Sequence, residues 1–440
     1  MLMFMRNLLN RIKNWRNISF VKDTAVMQVG TIFSTLVSIA ASILLARILL
    51  PDQYGTYRIV FSFAGIILLF LSWGVENATP IILSEEYSKQ NKAEIKNVIT
   101  YFFKTNFYIL ILSLLAIVVA PFLSELVYGL KEIGYLSRIV ILTSVMTVFV
   151  NLINIIFQIK RKVSAAVIFD FSKELLRVIL SLAALFLGLE VAGVLKGQLL
   201  AALLAVLAMI IIYAKYFSKD KLLPKPKEII ANFRAVKIRK YFSFGMFISF
   251  DKNVSALYSL LPIFFLGIFY PSEQVAYLNI ALKYITLPLI LLAPISRLLD
   301  IRLPQMTAES DIGKLKRSFY KVSTISGIIV FVLAIFALFL APFLIKLFYG
   351  ENYAESVSLI YYLVPLPILS GFAVGIGSLF RVLNKLKAAL VINGTLVVLG
   401  VAPVYLSIKI FGVVGMIIAY ILWLSVSNLV SFLYIKRFLK

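Results

Sequence analysis

Long apolar runs separated by short polar connections make up nearly the whole chain. An unbroken run such as Ile325 to Leu340 lacks the alternation of polar and apolar residues that a membrane β-strand shows, so the runs predict transmembrane helices. About 20 apolar residues are needed for one crossing of a bilayer. On this basis the pattern predicts twelve spans, near residues 25–46, 57–83, 101–123, 138–158, 164–188, 191–214, 242–269, 276–299, 319–346, 357–381, 388–409 and 412–435.

One apolar motif occurs twice, about half a chain apart. AIVVAPFLSELVYG ends at Gly129 and ALFLAPFLIKLFYG ends at Gly350, an offset of 350 − 129 = 221 residues in a chain of 440. Such duplications are typical of secondary transporters. Because each half holds an even number of spans, the sequence predicts two parallel six-helix repeats, and hence an all-α, two-lobed membrane transporter.

The longest polar connection lies between the two halves. Lys215 to Lys240 carries nine Lys and Arg residues together with Pro224 and Pro226, and the positive-inside rule puts it in the cytoplasm. With an even number of spans on each side, both termini are then expected inside a multi-pass protein of the cell membrane. The predicted divisions are a cytoplasmic amphipathic segment 1–24, for which a frayed polar tail is the alternative, a lobe 25–214, a basic linker 215–241 and a lobe 242–440.

Composition narrows the possible functions. Hydrophobic residues make up 61% of the chain and the mean hydropathy is +0.98, well above the values of soluble domains. The formal charge of the chain is +24. Its basic residues lie between the apolar segments, where they contact anionic lipid headgroups, so we expect membrane lipids and no nucleic acid as partners. With no Cys, no His, no nucleotide-binding P-loop and no large loop, we expect no enzyme, no metal site and no cofactor.

Ionisable residues inside the predicted spans are costly in a bilayer and therefore mark candidate sites. In span 5, Asp170, Lys173, Glu174 and Arg177 lie at i, i+3, i+4 and i+7, which aligns them on one helical face. A helix starting after Arg177 would be too short to span, so Arg177 lies well inside. Two interpretations stay open: this face lines a wet cavity, or it forms a ladder of ion pairs at the cytoplasmic end.

Span 7 and span 6 carry further charges. Asp251 and Lys252 are adjacent in span 7 and diverge by about 100° around a helix, so they cannot both face one neighbour. One of them faces the cavity, or the two form an interfacial pair at the cytoplasmic rim. Lys196 is a lone cation near the start of span 6.

Lys283 interrupts span 8 between Tyr277 and Tyr284. A cation among aromatic rings and hydroxyls suits a sugar or headgroup path. The alternative is a lysine that reaches the outer membrane interface from near the start of its helix.

Two residues of the first two spans complete the candidates. Arg47 either pairs with Asp52 or lines the outer exit, and Glu76 is a candidate for ion coupling near Gly74 and Pro80, which would loosen the helix. Asp170, Glu174 and Asp251 are the other ion-coupling candidates. The excess of basic groups inside the spans favours an anionic ligand, with Arg suited to phosphate.

The motifs resemble a known family. LARILLPDQYGTYRIV (Leu45 to Val60), the repeated APFL and YG segment and the glycine-valine starts of spans 6 and 12 resemble Wzx-type polysaccharide flippases. These belong to the multidrug, oligosaccharidyl-lipid and polysaccharide exporter superfamily. Two positions depart from the repeat pattern: Val275 stands opposite Gly55, and Lys196 stands opposite Gly415.

The resemblance implies a flippase that moves a polyprenyl-diphosphate-linked oligosaccharide from the cytoplasmic to the outer leaflet by alternating access. Its cationic cavity would fall to Arg177, Lys173, Lys252 and Lys283, with Lys196 and Arg47 as further cationic candidates. Other membrane proteins of glycan assembly are expected partners. Two alternatives stay open: a cation-coupled extruder of small cationic drugs, which predicts an acidic cavity, and a non-transporting scaffold, which predicts that Arg177 is dispensable.

Overall fold

The computed structural model describes residues 19–290 and 312–438, together with Leu292, Ile295, Ser296, Leu299 and Leu303. For residues 19–25 and positions 244, 248, 251 and 312 only the backbone is described, so the side chain of Asp251 and most of the predicted amphipathic segment 1–24 lie outside the description. Throughout this part of the chain the regular structure is helical. The α-helices are α1 Ser19–Leu71, α2 Val75–Ser88, α3 Lys92–Tyr128, α4 Lys131–Ile159, α5 Val163–Phe186, α6 Glu190–Ile212, α7 Pro226–Asn232, α8 Arg239–Phe269, α9 Ser272–Ile290, α10 Ile312–Tyr349, α11 Glu355–Leu363, α12 Pro365–Phe372, α13 Ile376–Val382 and α14 Leu386–Lys436.

Two of these helices are long enough for two crossings each. α1 has 53 residues and α14 has 51, and each is interrupted by one non-helical residue, Leu50 in α1 and Gly412 in α14. Leu50 precedes Pro51, whose ring disfavours helical backbone at the residue before it. Leu50 falls between predicted spans 1 and 2, and Gly412 is the first residue of predicted span 12.

The helices therefore accommodate the predicted crossings. Eight stretches in the described residues are long and apolar enough to cross a membrane, and two of them hold a double span. The charged α5 covers most of predicted span 5, and the short α9 covers predicted span 8 as far as Ile290. The chain is an all-α, multi-pass membrane protein, as the sequence predicts.

The apolar surface supports this assignment. Along α10 the exposed side chains recur at helical spacing and form one continuous stripe, whereas Val330, Ala334 and Ala341 on other faces are buried. A stripe of this length would be unfavourable in water and is accommodated by lipid. Its members are Ile325, Ile328, Val332, Phe336, Phe339 and Phe343.

The two copies of the repeated motif end their helices in the same way. α3 has 37 residues and ends at Tyr128, α10 has 38 and ends at Tyr349, and each is followed by a glycine with positive φ. The two copies of the sequence motif thus share the same backbone conformation at the end of their helices.

Close contacts divide the chain into two compact units. Unit 1 holds the described residues up to Ile48 with Ile67–Leu123 and Gly134–Ser249, and unit 2 holds Leu49–Ile66, Ser124–Ile133 and Phe250 onward. Four helices, α1, α3, α4 and α8, contribute residues to both units. The predicted six-helix lobes, 25–214 and 242–440, stay a prediction, because these contact-based units take segments from both halves.

Each unit has its own apolar core. In unit 1 the core is built mainly from α3 and α4, with Tyr101, Phe102 and Ile153 among its fully buried members. In unit 2 a core forms around Phe319, Val330 and Leu379.

The basic linker is ordered locally by proline, as its sequence predicts. A five-residue π-turn, Tyr213–Phe217, follows α6, and α7 then begins at Pro226, where a missing N–H costs nothing. The hydroxyl of Tyr213 donates to the Pro224 carbonyl at 2.8 Å. The chain is therefore not one continuous helix from α6 into the linker.

Candidate substrate cavity

The charged face of α5 forms a ladder of ion pairs. Lys173 lies 3.0 Å from Asp170, and the Arg177 guanidinium donates through Nε to Glu174 Oε2 at 2.9 Å and through a second nitrogen to Oε1. Both pairs have i, i+3 spacing, which brings side chains of one helix together. α5 begins at Val163, so Arg177 lies almost four turns inside the helix, as the sequence requires.

The same face borders a cavity in unit 1. The cavity has a volume of about 400 Å³ and lies between α1, the end of α4 and the first half of α5. The ion pairs of the ladder interpretation are thus present, and the same face borders this cavity, whereas a role of the face in binding substrate stays a prediction. The polar residues that line the cavity are Thr31, Ser34, Thr35, Ser38, Gln158, Asp170, Lys173 and Glu174.

Local sequence positions these groups. Thr31, Thr35 and Ser38 recur at helical spacing on α1, and the hydroxyls of Thr31 and Thr35 each donate to the carbonyl four residues earlier at 2.8 Å. A Cβ at Gly30 would lie 2.2 Å from a Val167 methyl, so the absence of a side chain there lets α1 approach α5 closely. The hydroxyl stripe was missed in the sequence, although its spacing of four and three residues could have revealed it.

Two hydrogen bonds connect the α5 face to its neighbours. Asn154 on α4 donates from Nδ2 to Asp170 at 2.6 Å, and Ser38 on α1 hydrogen-bonds to Glu174. The carboxylates are therefore held from both sides. Fixed carboxylates beside free hydroxyl lone pairs are suited to a ligand with many hydroxyl groups.

The charge of this lining is mixed. Two carboxylates and one ammonium face the cavity, and Arg177 is one turn further along α5, held by Glu174. An incoming phosphate would have to compete with Glu174 for the guanidinium. The predicted cationic cleft between two lobes, which would also include Lys252 and Lys283, stays a prediction.

Lys283 has a different setting in unit 2. Its Nζ donates to the Tyr54 hydroxyl at 2.9 Å and lies 5.6 Å from the centre of that ring, and the Tyr54 hydroxyl in turn contacts Asn279 Oδ1 at 3.3 Å. Tyr284, a predicted neighbour, instead donates to the Ala337 carbonyl at 2.6 Å. The lysine is thus part of a buried polar chain.

A cluster of tyrosines surrounds this chain. Tyr54 packs against Tyr57 and Tyr353, and Tyr353 also contacts Tyr277 and Tyr349, with ring centroids 5.9 to 6.4 Å apart. Tyr54 and Tyr353 are almost fully buried. The sequence placed only Tyr277 of this group beside Lys283, because the other tyrosines lie in segments that are distant along the chain.

The remaining candidates lie apart from the cavity of α1 and α5. Arg47 is exposed near the break in α1, Lys196 is exposed on α6, and Lys252 is exposed on α8. Asp52 accepts a hydrogen bond from the Ser272 hydroxyl, and Glu76 borders a second cavity of unit 1.

Solved structures with the same fold are transporters. One is an inward-facing multidrug resistance MATE family transporter of the MOP superfamily, with a TM-score of 0.71 and 19% identity, covering 92% of this chain and 94% of that chain. Another is a MOP superfamily transporter from Pyrococcus furiosus, with a TM-score of 0.61 and 18% identity, covering 96% and 95%. The outward-facing form of a MATE transporter gives a TM-score of 0.61 at 18% identity over 96% and 95%. The chain therefore has the fold of this transporter superfamily.

The match to a protein-family model is more specific than the similarity of folds. The model described as polysaccharide biosynthesis protein matches residues 20–298, which is more than half of the chain. The chain belongs to the polysaccharide biosynthesis protein family. No protein among the curated sequences matches it.

Proposed function

We propose that this protein translocates a polyprenyl-diphosphate-linked oligosaccharide from the cytoplasmic to the outer leaflet of the cell membrane, for the synthesis of surface glycans. The observation that carries the proposal is the family match combined with a polar cavity inside a membrane-spanning unit. A protein that only anchored other enzymes would have no need for such a cavity, since buried polar surface in a membrane is costly.

The chemistry of the cavity fits the sugar part of such a substrate. Serine and threonine hydroxyls, an amide and two carboxylates offer many donors and acceptors to sugar hydroxyls. The diphosphate would bind cations, and Lys173 and Arg177 are the cations nearest to the cavity. Because both are paired with carboxylates, the diphosphate would have to compete with Asp170 and Glu174 for these cations or share them.

The rest of the proposal concerns movement and location. The two predicted lobes would rock against each other, opening the substrate path first inside and then outside, while the lipid tail stays in the bilayer. Both termini and the linker 215–241 would lie in the cytoplasm, because the basic connections alternate with connections poor in Lys and Arg. Other membrane proteins of glycan assembly would supply and consume the lipid-linked substrate.

Substitution of Arg177 tests the proposal in cells. We expect Arg177→Ala to reduce surface glycan about tenfold or more and to accumulate lipid-linked oligosaccharide at the inner leaflet, because a charge-assisted contact to phosphate is worth about 1.5–3 kcal/mol. Arg177→Lys would retain part of the activity. Arg234→Ala, at an exposed linker arginine, is the matched control. Normal surface glycan in both Arg177 variants at normal protein level would reject this role of Arg177.

One observation favours a second candidate function. Asp170 and Glu174 outnumber Lys173 in the cavity lining, and an acidic cavity suits a cationic drug. Two of the solved structures named above are multidrug resistance transporters. Efflux of a cationic dye that depends on Asp170 and Glu174, with no effect on surface glycan, would support the extruder instead.

A further inference from the structure

An apolar groove lies on unit 1 where the short helix of the basic linker meets the membrane-spanning helices. It is bordered by α7, by α3, by one residue of α4 and by the end of α6, and its volume is about 340 Å³. Three phenylalanines, Phe103, Phe107 and Phe233, contribute to its wall, and the rings of Phe107 and Phe233 are 6.0 Å apart. None of the described residues that line it is charged.

The groove offers apolar contacts to whatever occupies it. Tyr213 has the one side-chain hydroxyl among the described lining residues, and that hydroxyl already donates to the Pro224 carbonyl at 2.8 Å. A sugar or a hydrated ion would therefore lose hydrogen bonds on entering. The lining residues Phe107, Ile210 and Ile230 are 47%, 53% and 74% exposed, so the groove is open to its surroundings. In a membrane protein, an open apolar groove is suited to a lipid chain.

The groove lies near the membrane surface that carries the basic linker. The residues of α6 that border it, Met209 and Ile210, are in the last turn of that helix, which ends at Ile212. α7 belongs to the linker, which the positive-inside rule puts in the cytoplasm. The cytoplasmic leaflet of a membrane is the one rich in anionic lipids.

A lysine of α3 lies at the edge of the groove. The Nζ of Lys104 is 5.8 Å from the centre of the Phe233 ring and donates to the Val236 carbonyl at 2.9 Å. Its side chain is half-buried. In the part of the chain that the structure describes, no carboxylate pairs with Lys104. Because an ammonium has three donors, Lys104 can bind a phosphate oxygen and keep its contact with the linker.

Two exposed lysines extend the basic edge. Lys215 directly follows the lining residue Ala214, and Lys227 directly follows the lining residue Pro226. Their long side chains can place the charge in the headgroup region while the stem lies against the groove. The acidic residue of α7, Glu228, accepts a hydrogen bond at 2.9 Å from the backbone N–H at the start of that helix. The edge of the groove therefore favours an anionic headgroup.

We infer that this groove binds one anionic phospholipid of the cytoplasmic leaflet, with an acyl chain along the aromatic wall and the phosphate at Lys104, Lys215 and Lys227. Surrounding lipid solvates an acyl chain as well as the groove does, so the groove positions the lipid while the lysines select its charge. The lipid would hold α7 against α3, to which Asn232 of the linker already donates a hydrogen bond at Asn97 Oδ1. This site does not depend on which substrate the protein carries.

Lipid binding to the purified, full-length protein in a zwitterionic detergent tests the inference. Phosphatidylglycerol and phosphatidylcholine with identical acyl chains are titrated separately, and native mass spectrometry counts the lipids that stay bound. We expect one phosphatidylglycerol to bind at least about tenfold more tightly than phosphatidylcholine, because each lysine near a headgroup contributes about fivefold.

Substitution of Lys104 tests the charge. Lys104→Gln should weaken phosphatidylglycerol binding about fivefold, while its amide can still donate to the Val236 carbonyl. Lys92→Gln is the matched control, since Lys92 is an exposed lysine three turns earlier on α3 and does not border the groove. An equal loss for both variants would mean diffuse attraction of anionic lipid and would overturn the inferred site.

Substitution of Ala214 tests the groove with every lysine in place. Ala214 is exposed and lines the groove, so the ring of Ala214→Phe would occupy the space of the acyl chain, and we expect the tightly bound phosphatidylglycerol to be lost. Ala231→Phe, at an exposed alanine of α7 outside the lining, should keep it. If the wild type binds both lipids equally, or if Ala214→Phe retains the preference, the inferred site is wrong. Because binding is measured without transport, a failure of the proposed function would leave this result unchanged.

Discussion

Two glycines share the same left-handed backbone but differ in their surroundings. Gly74 has φ 70° and Gly129 has φ 71°. A Cβ at Gly74 would lie 1.9 Å from the carbonyl oxygen of Gly245, whereas a Cβ at Gly129 would meet no atom within 4 Å. The pair therefore separates backbone strain from steric clash.

We predict that Gly74→Ala is more destabilising than Gly129→Ala. Strain alone costs about 1 kcal/mol at either position, and the clash with backbone at Gly74 adds about 1–3 kcal/mol because neither chain segment can yield without moving α8. Unfolding of each purified variant in denaturant measures its loss of unfolding free energy relative to the wild type. Equal losses for the two variants would mean that the close approach of Gly74 to Gly245 does not occur.

Residue spacing predicted part of the candidate site. The alignment of Asp170, Lys173, Glu174 and Arg177 follows from helical periodicity alone, and the structure brings the four together. The hydrogen bond from Lys283 to Tyr54 could not be predicted from residue spacing, because the two residues are 229 positions apart in the chain.

At the scale of elements, hydrophobic runs predicted nearly every helix, but not how the helices are joined or broken. Predicted span 2 is interrupted at residues 72–74, where the sequence indicated a loosened helix near Gly74. Predicted span 10 is divided into α11, α12 and α13, with Gly375 in left-handed backbone before α13. Such breaks depend on what packs beside the helix, which a hydropathy pattern does not contain.

The connection after α6 is held by an ion pair outside the spans. Asp220 accepts hydrogen bonds from the Lys160 ammonium and, at 2.8 Å, from the backbone N–H of Leu222. Partial burial by itself would raise the pKa of the Asp220 carboxyl, but these hydrogen bonds outweigh it and hold the pKa below its usual value. A lowered carboxyl pKa stabilises the fold above the pKa of the unfolded chain and loses that effect as the pH falls through the folded value.

We predict that Asp220→Asn costs about 1–2 kcal/mol of unfolding free energy at pH 7 and progressively less as the pH falls below the pKa of an unfolded aspartate and through the lower pKa of the folded protein, where Asp220 of the wild type becomes protonated. Unfolding of the purified protein in denaturant, measured at pH 7 and over a series of acidic pH values, tests this. Glu125→Gln serves as control, because Glu125 pairs with Lys131 at 3.3 Å in a half-exposed setting and should contribute under about 0.5 kcal/mol. A pH-independent loss for Asp220→Asn would contradict the ion-pair explanation.

At the scale of the whole molecule, the duplication and the basic connections set the expected orientation in the membrane. The chain contains no cysteine, so single cysteines can be introduced without a background signal. Lys219 is exposed in the basic linker, and Asn352 is exposed after α10 in a connection predicted to lie outside. These two positions should therefore lie on opposite sides of the membrane.

We predict that Asn352→Cys reacts with a membrane-impermeant maleimide on intact cells and that Lys219→Cys reacts only after the membrane is opened. The extent of labelling on gels measures both. Labelling of Lys219→Cys on intact cells would place the linker outside and overturn the predicted position of both termini.

Transport of a lipid-linked glycan is the central claim and can be measured directly. Purified protein is reconstituted into unilamellar vesicles that contain a labelled polyprenyl-diphosphate oligosaccharide, and an added glycosidase that cannot cross the membrane reports how much sugar faces outward. We predict that wild-type protein makes the inner-leaflet pool accessible, while protein-free vesicles keep it protected. If that pool stays protected with folded wild-type protein under every imposed ion gradient, the flippase account is wrong.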